Sequence, residues 1–190
     1  MVIIYFIIGY FTGSIPFGYI FVKNIKNIDI RDYGSGNIGA TNVKRILGLK
    51  WAIVTFIFDA LKGFIPAFLA YKYLQSPWSF TVMLSPFIGH CYTIWLKGNG
   101  GKGVATSAGI LFATVPLIFS VLFILWILIV ILTKKSSLGA VVIAILLPFT
   151  VYFFNKKIDL TFFTIILSIW VIIRHKENII RILNRKENNV

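Results

Sequence analysis

Three polar stretches stand out from an otherwise apolar chain. The first is DYGSGNIGATN, residues 32–42, which contains the spacing G-x-G-x-x-G. The second is GNGGKG, residues 98–103, and the third is RHKENIIRILNRKE, residues 174–187. Glycines let backbone N–H groups approach an anion closely, and a loop entering a helix adds the positive end of the helix dipole. Ser35, Asn37, Thr41 and Asn42 can donate hydrogen bonds in the first stretch. Arg45 supplies a forked cation and Lys102 a point charge. The chemistry these residues suit is the binding of an oxyanion such as phosphate. The structural alternative is a pair of tight turns with cations facing lipid headgroups.

A nucleotide site is the first reading to test. Asp59 lies twenty residues beyond Gly39, near the place of a ribose-binding carboxylate. A dinucleotide fold, however, needs a buried strand before the first glycine, and KNIKNIDIRDY is polar and charged there. Asp59 itself falls inside an apolar run with Lys62 three residues on. Such a pair on one helix face lowers the cost of both charges in lipid. GNGGKG also fails as a Walker A loop: Leu96 stands where its first glycine belongs, and Gly103 where Ser or Thr should follow the lysine. Neither nucleotide nor ATP-driven chemistry is supported.

Other polar residues are ambiguous alone. His175 and Asn178 are i, i+3 on a helix expected to continue from the last apolar run, so they should share a face, with Arg181 a turn further. His90, in GHCY, reads as a packing histidine hydrogen-bonded inside a helix bundle. Ser136 and Ser137 follow Lys134-Lys135 and could cap a helix, or turn a hydroxyl toward the same site. In GSIPFG, Gly13, Pro16 and Gly18 interrupt the first apolar run, and Gly9 with Gly13 form a small-xxx-small pair.

The elements carrying these residues must lie in a membrane. Of the 190 residues, 58% are hydrophobic and 13% charged, with a mean hydropathy of +0.87. Soluble domains are nearer half apolar and a quarter charged. Runs without charge cover 1–22, 73–96, 103–133 and 136–155, with a shorter one at 160–173. Residues 51–71 are apolar apart from Asp59 and Lys62. About 20 residues cross a hydrocarbon core, and no alternation suggests barrel strands. The N-terminus has no basic leader, so residues 1–22 read as a retained span.

The run 103–133 is too long for one crossing, roughly 46 Å as a single helix, and Pro116 can divide it. With a short crossing at about 103–115, seven spans result and the N-terminus lies outside. The loops at about 23–50, 97–102 and 134–137 and the tail 174–190 then hold 15 Lys and Arg on the inner side against 3 outside. One undivided span gives 10 against 8. The positive-inside rule favours the divided arrangement. The expected fold is therefore an all-α polytopic membrane protein of seven transmembrane helices. It forms one integral membrane domain over 1–190, with a cytoplasmic C-terminus. The net charge of +13 reads as basic loops facing anionic headgroups, not as a nucleic-acid surface. Cys91 is the only cysteine, so no internal disulfide and no cysteine metal cluster can form.

Taken together, GSIPFGYI, DYGSGNIGATNVKRILG, DALKG, GHCY with GGKGVATSAG, SSLGA and RHKENIIRIL resemble, in order and over nearly the whole chain, the acyl-phosphate-dependent glycerol-3-phosphate acyltransferases (PlsY). That family has seven transmembrane helices, an outside N-terminus and an inside active site in the bacterial plasma membrane. The resemblance implies transfer of an acyl group from acyl phosphate to the 1-hydroxyl of glycerol 3-phosphate in phospholipid synthesis. It implies a substrate site of Ser35, Arg45, Lys102, His175 and Asn178, with Ser136 or Ser137, and Asn37 and Asn42 as further matches. His175, Lys102 and Asn178 are the residues it places nearest the chemistry. The partners implied are glycerol 3-phosphate, acyl phosphate and membrane lipid, with no cofactor, metal, nucleotide or nucleic acid. Two positions depart from the family pattern: Thr93 stands at a proline position and Asn99 at a lysine position, with Lys97 two residues earlier.

The H-x-x-x-x-D motif of thioester-using acyltransferases is missing, since Trp95 and Ile180 stand five residues after the two histidines. Two isolated histidines and scattered acids make no metal-ligand cluster. The rival reading is a small transporter for an organic anion or phosphate, with glycine loops at broken helices. It would require polar residues through the membrane midplane and on both faces.

Overall fold

The computed structural model describes residues 1–189, and every regular element among them is helical. Contacts gather the chain into two compact units, Met1–Thr114 and Val115–Val190.

The first unit contains α1 (Val2–Ser14), α2 (Phe17–Lys26), α3 (Ala40–Leu47), α4 (Leu49–Tyr73), α5 (Trp78–Cys91) and α6 (Val104–Thr114). α1 stops at Ile15-Pro16, where the ring lacks an N–H to continue the helix. α1 packs on α5, and α4 on both α5 and α6. These crossings are close because small residues sit at them. A methyl on Gly109 would run into the Ala60 carbonyl, and one on Gly63 into the Thr106 carbonyl. Gly13 lies against Pro86, and Gly89 against the Tyr10 carbonyl. Lipid gives no hydrophobic push between helices, so close backbone approach of this kind supplies the packing energy.

The second unit contains α7 (Pro116–Thr133), α8 (Ser136–Asn155), α9 (Ile158–Arg174) and α10 (Lys176–Leu183). α8 packs on α7 and α9. Val115 ends the run begun by α6, and Pro116 opens α7 at a position where its missing N–H costs nothing. The division expected at Pro116 is thus present. α7 is apolar on every side and buries only Leu122, while Leu117 and Leu132 are about four-fifths exposed. A helix so apolar and so exposed is solvated by lipid chains.

Among the described residues, four stretches can by length and composition cross a membrane: α1 with α2, then α4, α7 and α8. α9 with α10 makes a fifth if the pair counts as one span. α5 and α6, with 14 and 11 residues, are shorter than the ~20 residues of a full crossing. Two local expectations need correction. α9 does not run on through the tail: it breaks at His175, and α10 departs at 62°. Ser136 and Ser137 do not cap α8. Lys135 is the flanking residue, and the serines occupy the first turn.

Candidate functional site

In the first unit the GSGNIG loop is held from within. Asn42, on α3, is buried, and its amide Nδ2 donates to the carbonyls of Ile30, Tyr33 and Asn37 at 3.2, 3.0 and 2.9 Å. Its Oδ1 accepts the Ser35 backbone N–H at 3.0 Å. Asn37 Oδ1 accepts the Gly39 N–H at 2.9 Å, a local turn typical of asparagine. Gly34 has φ +61°, and a methyl there would overlap Asn42 Oδ1. The loop therefore depends on Asn42, which spends both ends of its amide on scaffold. Ser35 is half-buried and Arg45, on the same short helix as Asn42, is exposed.

Ile30, Ile38 and Val43 pack with Val22 of α2 and with Leu96 in one buried apolar cluster. Leu96 ends the short 3-10 turn Ile94–Leu96 that leads into GNGGKG. One small core thus underlies both glycine loops. The second loop is fastened to the end of α5: Gly100 N–H donates to Cys91 O at 3.2 Å and Gly101 N–H to His90 O at 3.0 Å. Gly103, at φ +79°, lies against the Phe87 ring. Lys102 is half-buried between these two glycines. Thr93 has its own task here, since its hydroxyl donates to the buried Ser14 carbonyl at 2.5 Å. Asn99 and Lys97 are exposed on the loop.

Beneath this loop, Lys62 and Asp59 of α4 form a buried ion pair at 2.7 Å. The mutual neutralisation expected from their spacing is observed. Lys62 Nζ also donates to the Ile15 carbonyl at the α1–α2 break, 2.8 Å away. His90, 3% exposed, brings Nδ1 to 3.8 Å from Asp59 Oδ1.

In the second unit the decisive residue is one that sequence reasoning passed over. Glu187 Oε1 accepts from Ser137 Oγ at 2.7 Å and from Asn178 Nδ2 at 2.6 Å, while Oε2 accepts from Arg181 Nε at 2.9 Å. The chain reverses after α10 to make this possible. Arg185 takes φ +57°, and Lys186 N–H returns to Arg181 O at 2.7 Å. Burial raises the Glu187 carboxyl's affinity for its proton, but the three hydrogen bonds and the Arg181 charge outweigh it and hold the group below its ordinary value. The available signal was an acid in a tail otherwise dominated by Lys and Arg. Of the two candidate serines, Ser137 is the one that shares a partner with Asn178.

His175 occupies the break itself, closing α9 and opening α10. Its Nδ1 lies 2.8 Å from the Val171 carbonyl. A carbonyl can only accept, so Nδ1 carries a proton. In the neutral ring Nε2 then holds the lone pair and can accept a hydroxyl proton. His175 and Asn178 are related as helix cap and third helical residue, and both are buried. Among the described residues no cluster of His, Cys, Asp and Glu could hold a metal ion.

A family model described as glycerol-3-phosphate acyltransferase matches residues 3–185. The chain belongs to the glycerol-3-phosphate acyltransferase family.

Its acyltransferase relatives extend the match. The glycerol-3-phosphate acyltransferase of Fusobacterium nucleatum is 39% identical over 97% of this chain and 95% of its own length. That of Endomicrobium trichonymphae is 40% identical over 99% of this chain and 95% of its own. The crystal structure of PlsY (YgiH), an integral membrane glycerol 3-phosphate acyltransferase, in its glycerol 3-phosphate form superposes with a TM-score of 0.95 at 36% identity, covering 100% of this chain and 95% of that one. Its lysophosphatidic acid form gives a TM-score of 0.92 at 35% identity, over 99% and 94%. The chain is thus an integral membrane acyltransferase of the PlsY kind.

Proposed function

We propose that this acyltransferase moves an acyl group from acyl phosphate to the 1-hydroxyl of sn-glycerol 3-phosphate, giving 1-acylglycerol 3-phosphate and inorganic phosphate. The observation that carries the reading is the full-length likeness, 36% identical, to a structure with glycerol 3-phosphate as its named form. The same protein's lysophosphatidic acid form supports the product. The family membership favours the enzyme over the anion transporter.

The residues suit the chemistry. Both substrates carry phosphate, and Ser35, Arg45 and Lys102 offer a hydroxyl and two cations beside glycine-rich backbone. We assign them to the glycerophosphate, together with Ser137, His175 and Asn178. Asn37 and Asn42 hold the loop that presents Ser35, and Ser136 is the lesser candidate beside Ser137. The substrate hydroxyl attacks the acyl carbonyl, the carbonyl–phosphate oxygen bond breaks, and phosphate leaves with the bonding pair. An acyl phosphate is a mixed anhydride with a good leaving group, so positioning and charge stabilisation suffice without a covalent enzyme intermediate. A substrate phosphate oxygen takes the hydroxyl proton, and His175 positions the glycerophosphate through Nε2. A His175→Ala enzyme that lost turnover with unchanged affinity would instead make His175 the general base.

The charge count supports a cytoplasmic active site in a bacterial plasma membrane. We keep the seven-crossing topology, with α5 and α6 as short crossings buttressed by α4.

The test is direct. Purified protein in detergent receives an acyl phosphate and labelled glycerol 3-phosphate, and lysophosphatidate is sought. Product from acyl phosphate and none from acyl-CoA is the expected result. No product, or product from acyl-CoA alone, overturns the proposal.

A further inference from the structure

Asp59, Lys62 and His90 form a buried polar node that the transfer chemistry does not use. All three are at most 6% exposed. Buried charge in a membrane helix is costly and persists where it has a task. The node touches the polar machinery at two points. Lys62 grips the Ile15 carbonyl, at the break that leads to Gly18, and Gly18 rests on the Ile38 carbonyl of the GSGNIG loop. His90 reaches the other loop. A methyl built on Gly101 would have the His90 imidazole as its three nearest atoms, overlapping Nε2 and lying 2.8 Å from Cε1 and 3.0 Å from Cδ2.

Gly101 and Gly103 flank Lys102, and each closes on a side chain of α5: His90 for the first, Phe87 for the second. Phe87 and His90 stand one helical turn apart, so together they form a rigid shelf under the lysine's backbone. Phe87 needs only packing to stay in place. The imidazole has Asp59 facing its Nδ1 from α4, with Oδ1 3.8 Å away. The carboxylate favours the ring orientation and tautomer with the Nδ1 proton toward it. Lys62 holds that carboxyl in place from the same helix, with Nζ 2.7 Å from Asp59 Oδ1.

We propose that His90, oriented by the Asp59–Lys62 pair, is a positioning residue for Lys102, and that Gly101 must be glycine because the imidazole fills its side-chain space. The inference rests on Lys102 serving the substrate phosphate, as assigned above.

A double-mutant cycle tests it. Gly101 has no left-handed φ, so alanine there is opposed by the imidazole and not by the backbone. Gly101→Ala should raise KM for glycerol 3-phosphate about tenfold, with kcat changed far less. In a His90→Ala background the same substitution should cost less than about twofold, because the obstruction is gone. The charge-neutral pair Asp59→Asn with Lys62→Met should raise KM when His90 is present and add nothing in His90→Ala. An equal Gly101→Ala effect in both backgrounds, or an unchanged KM, overturns the proposal. His90→Ser vacates the same space should His90→Ala not fold; failure of both to accumulate makes His90 structural and also overturns it. A wild-type protein without acyltransferase activity, or a Lys102→Ala protein with wild-type KM, refutes the underlying assignment instead.

Discussion

The side-chain amide of Asn178 donates to Glu187 Oε1 across 2.6 Å, and the same oxygen accepts from Ser137. Two residues assigned to substrate are thereby fixed by one carboxylate from the end of the chain. Glu187→Ala should leave both without that partner and let the tail swing away from α10. A lost charge-assisted bond of this kind is worth about 1.5–3 kcal/mol, so kcat/KM for glycerol 3-phosphate should fall by about tenfold or more. Steady-state assays of Glu187→Ala and Glu187→Gln check this, and near-wild-type values for both would refute it.

The same carboxylate sets a pH dependence. Its folded value lies below the ordinary 4.5, so its contribution to stability is complete above 4.5. That contribution is lost as pH falls through the lower folded value and the group protonates. Thermal unfolding of wild type in detergent should therefore weaken below about pH 4.5 more steeply than that of Glu187→Gln. Parallel curves for the two proteins would show that Glu187 carries no such linkage.

Asn42→Ala should be far more damaging than Asn37→Ala. Asn42 ties three carbonyls and the Ser35 N–H together inside the unit, whereas Asn37 caps one N–H with its side chain at a half-buried position. Each buried group left unpaired costs about 1–3 kcal/mol. The expected outcome is a large fall in melting temperature for Asn42→Ala and a small one for Asn37→Ala, measured on purified protein. Equal shifts would contradict the scaffold role of Asn42.

Arg45→Ala and Lys102→Ala should weaken use of glycerol 3-phosphate strongly while the protein folds as before. Arg45 is exposed and Lys102 half-buried, so neither is needed for the core. Kinetics with varied glycerol 3-phosphate, alongside size-exclusion profiles, separate loss of binding from loss of fold. Wild-type kinetics in both variants would show the site assignment to be wrong.

Gly109→Val tests the packing that holds α6 on α4. The new side chain would enter the space of the Ala60 carbonyl, and backbone cannot yield there without parting the helices. Overpacking of a tight contact costs about 1–3 kcal/mol or more, so the variant should accumulate poorly in membranes. Yield and melting temperature read this out, and wild-type values for both would contradict it.

Much was legible in the sequence because it acts locally. Apolar runs mark the segments suited to lipid, and Pro116 divides α6 from α7. The spacing of Asp59 and Lys62 alone brings their charges to one face of α4. Glycines 34–39 and 98–103 mark loops that lead into helices, and the motifs in register identify the family. Length misled in one respect: the apolar run 73–96 gave a 14-residue α5 and a separate turn, because the chain leaves the helix at Tyr92 and Thr93 ahead of the second glycine loop.

The rest depends on contacts between residues far apart in the chain, which no local pattern encodes. The continuous helix expected through His175 is broken there, and only the chain reversal at Arg185 brings Glu187 back to Asn178 and across to Ser137, fifty residues earlier. Only the packing of α5 on α4 sets His90 between Asp59 and Gly101, and only the shared cluster of Ile38, Val43 and Leu96 places a core under both loops. Sequence by itself determined the all-helical, membrane character of the chain and the family. Tertiary structure decided which polar groups hold the others still, because a hydrogen bond or a close contact exists only once the faces that carry it have met.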